Sequence, residues 1–221
     1  MKKERREKLS SRRRRGLRRL LVAAAAVYLV NRIFLIGLIF PIQAIRHNEE
    51  REGVGRTAVV CREWVPEIAK SQVFYLTGNE NVTMLSGARL TYLGWIGGYG
   101  LPLDCTEEAP VYGGWLAMKK KDWGAVLYVF GRVDDPDIAR MEVRLQYTDW
   151  KEEDHTVLTW NSERADWMEK DGRYYFLFRT YPPFDWTEYH PRLDAVAVGW
   201  DEAGNETARV ELDRGSGFIS S

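Results

Sequence analysis

The chain has 221 residues, of which 45% are hydrophobic and 29% charged, and its formal net charge at pH 7 is zero. That neutrality averages two opposed parts. Residues 1–19 carry eleven Lys or Arg and two acidic side chains, which leaves 21 basic and 30 acidic residues in the remainder. An acidic main body argues against nucleic acid as a partner, whereas a short basic tail is typical of a cytoplasmic flank that meets anionic lipids.

An apolar segment follows the basic tail, from Leu20 to Phe40, and Pro41 closes it. About 20 apolar residues in a helix span the ~30 Å hydrocarbon core, so the sequence predicts a transmembrane helix over residues 20–42. By the positive-inside rule, residues 1–19 form the cytoplasmic tail and the rest lies outside the cell, which makes a single-pass protein of the cell membrane. A cleaved signal peptide is the alternative, but the segment stays apolar well beyond residue 30.

Asn31 and Arg32 interrupt the apolar segment near its middle. A central Arg costs about 2.5 to 3.5 kcal/mol, and each Leu, Ile, Phe or Val returns about 0.3 to 0.6. Thirteen such residues lie between Leu20 and Phe40, so insertion remains favourable. The polar pair either contacts a partner helix in the membrane or lets the Arg snorkel toward the interface.

The next segments are predicted as a linker and a small unit. Residues 43–56 are polar and glycine-containing, which indicates a juxtamembrane linker. Residues 57–110 are predicted to form a short helix over Glu67–Ser71 and a hairpin with strands at 73–76 and 82–85. The glycine-rich stretch Gly94–Gly100 has neither dinucleotide-binding nor P-loop spacing, so it is interpreted as punctuation between strands.

The chain has two cysteines, Cys61 and Cys105. An even pair confined to an exported region predicts a disulfide, which would close a loop of about 45 residues and contribute about 4 kcal/mol in the chain-entropy model. Two unpaired buried thiols are the alternative. Two cysteines without a nearby His fall short of the four ligands of a zinc site, so no metal is expected.

Residues 111–214 are predicted as an antiparallel β-sandwich of immunoglobulin-like (Ig-like) type, and residues 215–221 as a flexible tail. Ala139–Tyr147 alternates apolar and polar residues at every position, which indicates a strand with one buried face. Ala125–Phe130 is continuously apolar and suggests a central strand. Further strands are predicted at 156–160, 173–180, 193–200 and 207–212, the last two joined by a hairpin loop.

Three later stretches carry a resemblance: VLYVFGRVDDPDIARMEVRL (126–145), GRYYFLFRT (172–180) and LDAVAVGWDEAGNETARVEL (193–212). With FYLTGNENV at 74–82 and LTYLGW at 90–95, followed by Gly97 and Gly98, they resemble a group of membrane-anchored exported proteins of endospore-forming Gram-positive bacteria. The similarity covers about Val73 to Leu212. It implies an exported Ig-like domain and no catalytic motif, and it transfers no site residues.

Chemical motifs are sparse, and the aromatic residues give the one positive indication. His47, His155 and His190 are scattered, and no nucleophile, cofactor or metal signature is found, so we expect no enzyme and no cofactor. Acidic clusters at 134–137, 152–154 and 201–206 fit solvated turns better than calcium loops. Within the proline-stiffened segment 181–191, four aromatic side chains could bind a ligand or, alternatively, close the open end of the sandwich: Tyr181, Phe184, Trp186 and Tyr189.

These features predict a non-enzymatic, membrane-tethered binding or scaffold domain that recognises a protein or an envelope polymer outside the cell. A single-pass regulatory subunit, docked to another membrane protein through Asn31 and Arg32, is the alternative. An envelope hydrolase is the least favoured reading because the catalytic motifs are missing.

Overall fold

The structure is a computed structural model that describes residues 14, 16–30, 38–65, 72–119, 125–148, 155–181 and 192–214. These residues form two helices, a 3₁₀ turn and thirteen strands in three sheets. The predicted tail at 215–221 lies outside the described residues.

The helices are α1 (16–30) and α2 (Pro41–Arg51), and the 3₁₀ turn is Arg164–Asp166. The strands are β1 (Ala58–Trp64), β2 (Gln72–Gly78), β3 (Val82–Thr91), β4 (Gly94–Asp104), β5 (Val111–Lys119), β6 (Ala125–Val133), β7 (Arg140–Thr148), β8 (His155–Glu163), β9 (Met168–Lys170), β10 (Arg173–Thr180), β11 (Arg192–Trp200), β12 (Glu206–Glu211) and β13 (Asp213–Arg214).

The strands are arranged in three stacked sheets. Sheet 1 has the order β1-β2-β3-β4, sheet 2 the order β13-β5-β6-β10-β9, and sheet 3 the order β12-β11-β7-β8. All neighbouring strands are antiparallel except β13, which lies parallel to β5. One hydrophobic core lies between sheets 2 and 3, a second between sheets 1 and 2, and a third between sheet 1 and α2. The molecule is therefore a four-layer stack of α2, sheet 1, sheet 2 and sheet 3.

Sheet 2 lies between sheets 1 and 3, and its central strand β6 is buried at every position. Because side chains alternate across a strand, Tyr128 and Phe130 pack toward sheet 1, whereas Leu127 and Val129 pack toward sheet 3. A strand that is covered on both faces needs apolar residues at consecutive positions. The continuous apolar run at 125–130 is thus explained, and its prediction as a central strand is confirmed.

The other strands predicted for the sandwich are also confirmed, within a few residues at their ends. On β7, Met141, Val143 and Leu145 are fully buried, and the alternate residues Glu142 and Arg144 are only partly buried. The predicted strands at 156–160, 173–180, 193–200 and 207–212 correspond to β8, β10, β11 and β12. Sheets 2 and 3 therefore form the predicted β-sandwich.

The region predicted as a transmembrane end and a linker has a different structure. The backbone N–H and C=O of Leu38 bond to Trp95, at 2.6 and 2.7 Å, so Leu38 belongs to the edge of sheet 1 and not to a helix. Pro41, which has no N–H to donate, opens helix α2. The structure thus places a strand bridge at Leu38 and a helix at 41–51, where the sequence predicted the end of a transmembrane helix at residue 42 and a linker at 43–56. Among the described residues, no helix has the length and apolar character needed to cross a membrane.

Residues 57–110 form a larger unit than the predicted hairpin. The hairpin of β2 and β3 is confirmed, but β1 and β4 extend it to a four-stranded meander. The glycine-rich stretch at 94–100 belongs to β4 rather than to a turn. A Cβ atom added at Gly97 would lie 2.2 Å from Asn48 Oδ1, so glycine is required there for α2 to approach the sheet. The predicted helix at 67–71 lies outside the described residues.

The predicted disulfide is wrong, because Cys61 and Cys105 are both free. Cys61 on β1 is level with Leu76, Leu85 and Leu101 on the three following strands. Three strand spacings of about 4.8 Å separate the edges of sheet 1 by roughly 14 Å, whereas the Cα atoms of a disulfide lie within about 7 Å. Cys105 follows the far edge strand, so the two thiols lie on opposite edges of one sheet.

Candidate functional site

The structure describes few of the residues that the sequence marked as candidates. Tyr181 follows β10 and is 46% exposed. Phe184, Trp186 and Tyr189 of the aromatic segment lie outside the described residues, as do Asn31 and Arg32 of the apolar segment. The aromatic loop and the intramembrane contact therefore remain predictions.

A group of exposed apolar side chains occupies one end of sheet 1. The strand pairing fixes this grouping. Trp64 pairs with Val73, which pairs with Ala88, and Leu90 pairs with Trp95 two residues further along β3. The β3–β4 turn then projects beyond the sheet, and the bridge at Leu38 brings the preceding chain to the same place. We call this group the apolar end of sheet 1: Ile39, Phe40, Trp64, Leu90, Tyr92 and Leu93.

The exposure of these side chains is unusual for their type. Tyr92, at the β3–β4 turn, is 96% exposed, and Phe40 is 60% exposed. Trp64, which is 48% exposed, makes an edge-to-face contact with Trp95 at a centroid distance of 5.8 Å. Turns are normally polar, so a Tyr-Leu pair at a hairpin turn indicates a contact surface rather than a solvated loop.

Helix α1 presents a second exposed apolar surface. Its residues from Leu20 to Val30 are all apolar, and every one of them is exposed. A helix segment that is apolar around its whole circumference is normally covered, either by other elements of the protein or by lipid. Within the part of the chain that the structure describes, protein does not cover it.

The polar groups of α2 that face sheet 1 are held in a buried network. Asn48 is fully buried, and its amide Nδ2 donates to the Ser86 hydroxyl at 2.7 Å and to the carbonyls of Gly87 and Tyr99 at 3.1 Å. Glu49 is 3% exposed and accepts hydrogen bonds from the Thr57 hydroxyl and from a guanidinium nitrogen on the same helix. This network fixes the position of α2 and has no open face toward a ligand.

Arg132 is the largest buried polar side chain between sheets 1 and 2, with 2% of its surface exposed. Its guanidinium donates to Asp134 at 2.6 Å and to the carbonyls of Asn79 and Glu80 at 3.0 and 3.1 Å, and it lies 4.8 Å from the centre of the Tyr112 ring. Burial lowers the pKa of this guanidinium, but the hydrogen bond to Asp134 and the charges of Asp134, Cys105 and Tyr175 together raise the pKa above its ordinary value. The group joins the β2–β3 turn to sheet 2, which is a structural role.

Both thiols are poor nucleophiles. Burial raises the pKa of Cys61 from 9.0 to about 11, against a hydrogen bond from the backbone of Leu76. Burial likewise raises the pKa of Cys105, although the Thr83 hydroxyl and Arg132 act in the opposite direction. Since the thiolate is the reactive form, neither cysteine is activated.

The acidic turns are internally bonded. Asp201 accepts from the backbone N–H and the amide of Asn205, at 2.7 and 2.9 Å, and Asp135 accepts from the N–H of Asp137 at 2.8 Å. Across the described ranges, no three His, Cys, Asp or Glu side chains converge as metal ligands would.

No protein-family model, curated protein or solved structure matches this chain. Its most distinctive part, the apolar end of sheet 1, was missed by sequence reasoning. The available signal was the TYLG sequence at 91–94, in which Tyr92 and Leu93 occupy a turn between two strands where polar residues are the norm.

Proposed function

We propose that this protein is a single-pass membrane protein whose β-rich domain lies outside the cell and binds a protein or an envelope polymer without catalysis. The observation that carries the proposal is the exposure of the apolar residues 20–30 of helix α1, together with the exposed apolar side chains that lie where the chain enters the β-rich domain. Two adjoining surfaces of this kind favour lipid over water as their surroundings.

The anchor in this proposal is shorter than the helix predicted from sequence. Because Leu38 is bonded into sheet 1 and Pro41 starts α2, the apolar segment available to cross the membrane is residues 20–37. In the structure, Leu20, Val27 and Tyr28 of α1 line one apolar groove with Ile39. To cross the membrane as a single helix of about 27 Å over residues 20–37, close to the ~30 Å hydrocarbon thickness, α1 would have to leave that groove. The eleven basic residues at 1–19 support a cytoplasmic N-terminus.

We further propose that sheets 2 and 3 form an Ig-like sandwich, which the strand order supports. Counting β5, β6, β7, β8, β10, β11 and β12 as seven strands, the first, second and fifth are neighbours in one sheet. The third, sixth and seventh are neighbours in the other sheet. Ig-like sandwiches share these two groupings, and they commonly present binding surfaces on their loops and outer strands.

The absence of a catalytic step in the proposal is supported by the chemistry of the described residues. The thiol pKa values are raised, the buried carboxylate of Glu49 is held by its hydrogen-bond donors, and Arg132 is enclosed between two sheets. Glu49 and Arg132 hold neighbouring layers together, and neither thiol is activated.

The anchor is tested by carbonate extraction of membranes from cells that express the full chain with a C-terminal epitope. We expect the chain to stay in the membrane pellet, and protease added outside intact cells to remove the epitope. A variant with Leu21→Asp and Val27→Asp should be released by carbonate. A soluble parental chain, or an epitope that is protected in intact cells and digested after lysis, would contradict the proposal.

The binding role is tested separately, with the full chain in detergent. Co-sedimentation with purified peptidoglycan examines the polymer, and cross-linking in intact cells examines a protein partner. Specific capture in either experiment supports the proposal, and a chain that sediments with no polymer and forms no cross-linked species would argue against a binding role.

A further inference from the structure

We propose that the apolar end of sheet 1 is a lipid-binding site, through which the exported domain inserts its β3–β4 turn into the interfacial region of the bilayer. This inference rests on the proposed membrane anchor and deepens it. The domain would then lie directly on the membrane, with Tyr92 and Leu93 among the lipid headgroups and its strands directed away from the surface.

Exposed apolar side chains are concentrated at this end of the domain. Outside α1, the described part of the chain exposes eight large apolar side chains, and six of them form the apolar end of sheet 1. A seventh, Tyr181, follows the end of β10 that is joined to the same region through the Glu63–Arg179 ion pair of 2.6 Å. Only Val157 lies apart, on β8. Scattered exposure needs no explanation, but a grouping at one end does.

The apolar segment joins the domain at the apolar end of sheet 1. Leu38 is already part of sheet 1, and it follows the apolar segment at 20–37 by a single peptide bond. Three extended residues reach only about 10 Å, so no spacer holds the apolar end away from the point where an anchor would leave the membrane. Trp and Tyr side chains are the residues that proteins place at the membrane interface, and both types are present here.

The two ends of the stack differ in charge. On sheet 1 the charged residues near the apolar end are Arg62, Arg89 and the paired Glu63, while Asp104 lies at the opposite end. Five turns at that opposite end of the stack, at 79–81, 105–110, 134–139, 171–172 and 201–205, contain no Lys or Arg and nine acidic residues: Glu80, Glu107, Glu108, Asp134, Asp135, Asp137, Asp171, Asp201 and Glu202. Of these, Asp134 is paired with Arg132 and the other eight set the charge of that end. A sixth turn, at 164–167, and the α2–β1 connection, at 52–57, each have one basic and one acidic residue. An anionic membrane would attract the apolar end and repel the other.

The fluorescence of a probe at the turn tests this proposal in the full chain. Tyr92→Cys is labelled with the environment-sensitive fluorophore NBD and reconstituted into vesicles of phosphatidylcholine and phosphatidylglycerol. Glu80→Cys is the matched control, since it occupies the opposite turn of β3. That strand has ten residues and separates the two turns by about 33 Å. The parental chain, treated with the same fluorophore, measures the background labelling of Cys61 and Cys105.

We expect the probe at position 92 to shift its emission to shorter wavelength, to resist iodide, and to lose most of its emission when the vesicles contain lipid with a nitroxide near the headgroup. The probe at position 80 should remain accessible to iodide and insensitive to that lipid. If vesicles capture the chain and both probes behave alike, the lipid site is wrong and the anchor stands.

Two other outcomes would also overturn the inference. A probe at position 92 that resists iodide but ignores the nitroxide lipid would show that protein covers the turn, either a second copy or a partner. A chain that does not float with the vesicles at all would remove the anchor, and with it the lipid site. A further variant carries the NBD probe at Leu90→Cys together with Tyr92→Ser and Leu93→Ser. If this variant floats with the vesicles but its NBD emission does not shift, the side chains of Tyr92 and Leu93 are confirmed to carry the insertion.

Discussion

Replacing Arg132 by Met should destabilise the domain more than any single change at its surface. The guanidinium is 2% exposed and donates to Asp134 and to the carbonyls of Asn79 and Glu80. Methionine fills much of the volume of the Arg stem but donates nothing. The variant therefore leaves a carboxylate and two carbonyl oxygens without their donors at the junction of sheets 1 and 2.

The size of the effect follows from these contacts. Removing one partner of a buried ion pair costs about 3 to 5 kcal/mol. Because Asp134 is 28% exposed and can be hydrated once the guanidinium is gone, the lower limit applies. We expect the free energy of unfolding to fall by about 3 kcal/mol, and the melting temperature of a domain of this size to fall by roughly 6 to 12 °C.

Urea unfolding of the full chain in detergent, followed by tryptophan fluorescence, measures this loss. Arg209→Met is the matched control, since Arg209 also pairs with a carboxylate, that of Glu206 at 2.7 Å, but is 51% exposed. A surface pair of this kind contributes less than about 1 kcal/mol. Equal losses for the two variants would refute the reasoning that burial gives the Arg132 cluster its importance.

Further expected outcomes concern α2 and the thiols. Asn48→Ala removes the donor to the Ser86 hydroxyl and to the carbonyls of Gly87 and Tyr99, of which Tyr99 keeps the Ser86 hydroxyl as a donor, and should cost about 1 to 3 kcal/mol in urea unfolding. Glu50→Ala, whose side chain on α2 is 80% exposed, should stay within about 0.5 kcal/mol. Gly97→Ala should cost about 1 to 3 kcal/mol in the same assay, because its Cβ meets α2. With its pKa at about 11 instead of 9.0, Cys61 should be alkylated about 100-fold more slowly than a small thiol, and peptide mapping without reduction should find no link to Cys105. Since both thiol pKa values are higher in the folded state, stability should fall as the pH rises above about 9.

Sequence periodicity predicted the strands whose burial follows a simple rule. The strict alternation at 139–147 reflects one buried face of β7, and the apolar run at 125–130 reflects two buried faces of β6. The β11–β12 hairpin was predicted because Asp201 and Asn205 are turn formers, and they bond to each other there.

Other elements could not be predicted because distant residues decide them. Helix α2 contains the polar sequence RHNEER, and its burial depends on partners that sheet 1 and Thr57 supply. The stretch at 94–100 resembles loop sequence, yet its glycines are needed because α2 lies directly against β4. The separation of Cys61 from Cys105 depends on the order of strands in sheet 1, which their spacing in the chain does not encode.

The candidate site was also invisible to pattern reasoning. Two apolar residues in a turn, such as Tyr92 and Leu93, have no periodicity to mark them, and their grouping with Trp64 and Phe40 arises only when the meander of sheet 1 forms. The aromatic segment at 181–191 attracted attention by its composition, and of its members the structure describes Tyr181 alone.

The double burial of sheet 2 links the fold to the proposed orientation at the membrane. A strand that is apolar on both faces needs a cover on each side, so sheet 1 is a necessary layer of the sandwich and not a separate appendage. Because the two sheets share a core and the Arg132 cluster, an anchor fixed to sheet 1 at Leu38 also fixes the direction of the sandwich strands. With the apolar end in the bilayer, the acidic turns at 134–139 and 201–205 face outward. We therefore expect charge reversal at Asp137 and Glu202, which spares the bonded Asp134, Asp135 and Asp201, to alter partner binding while leaving membrane attachment intact. The cross-linking and flotation assays measure these two effects separately.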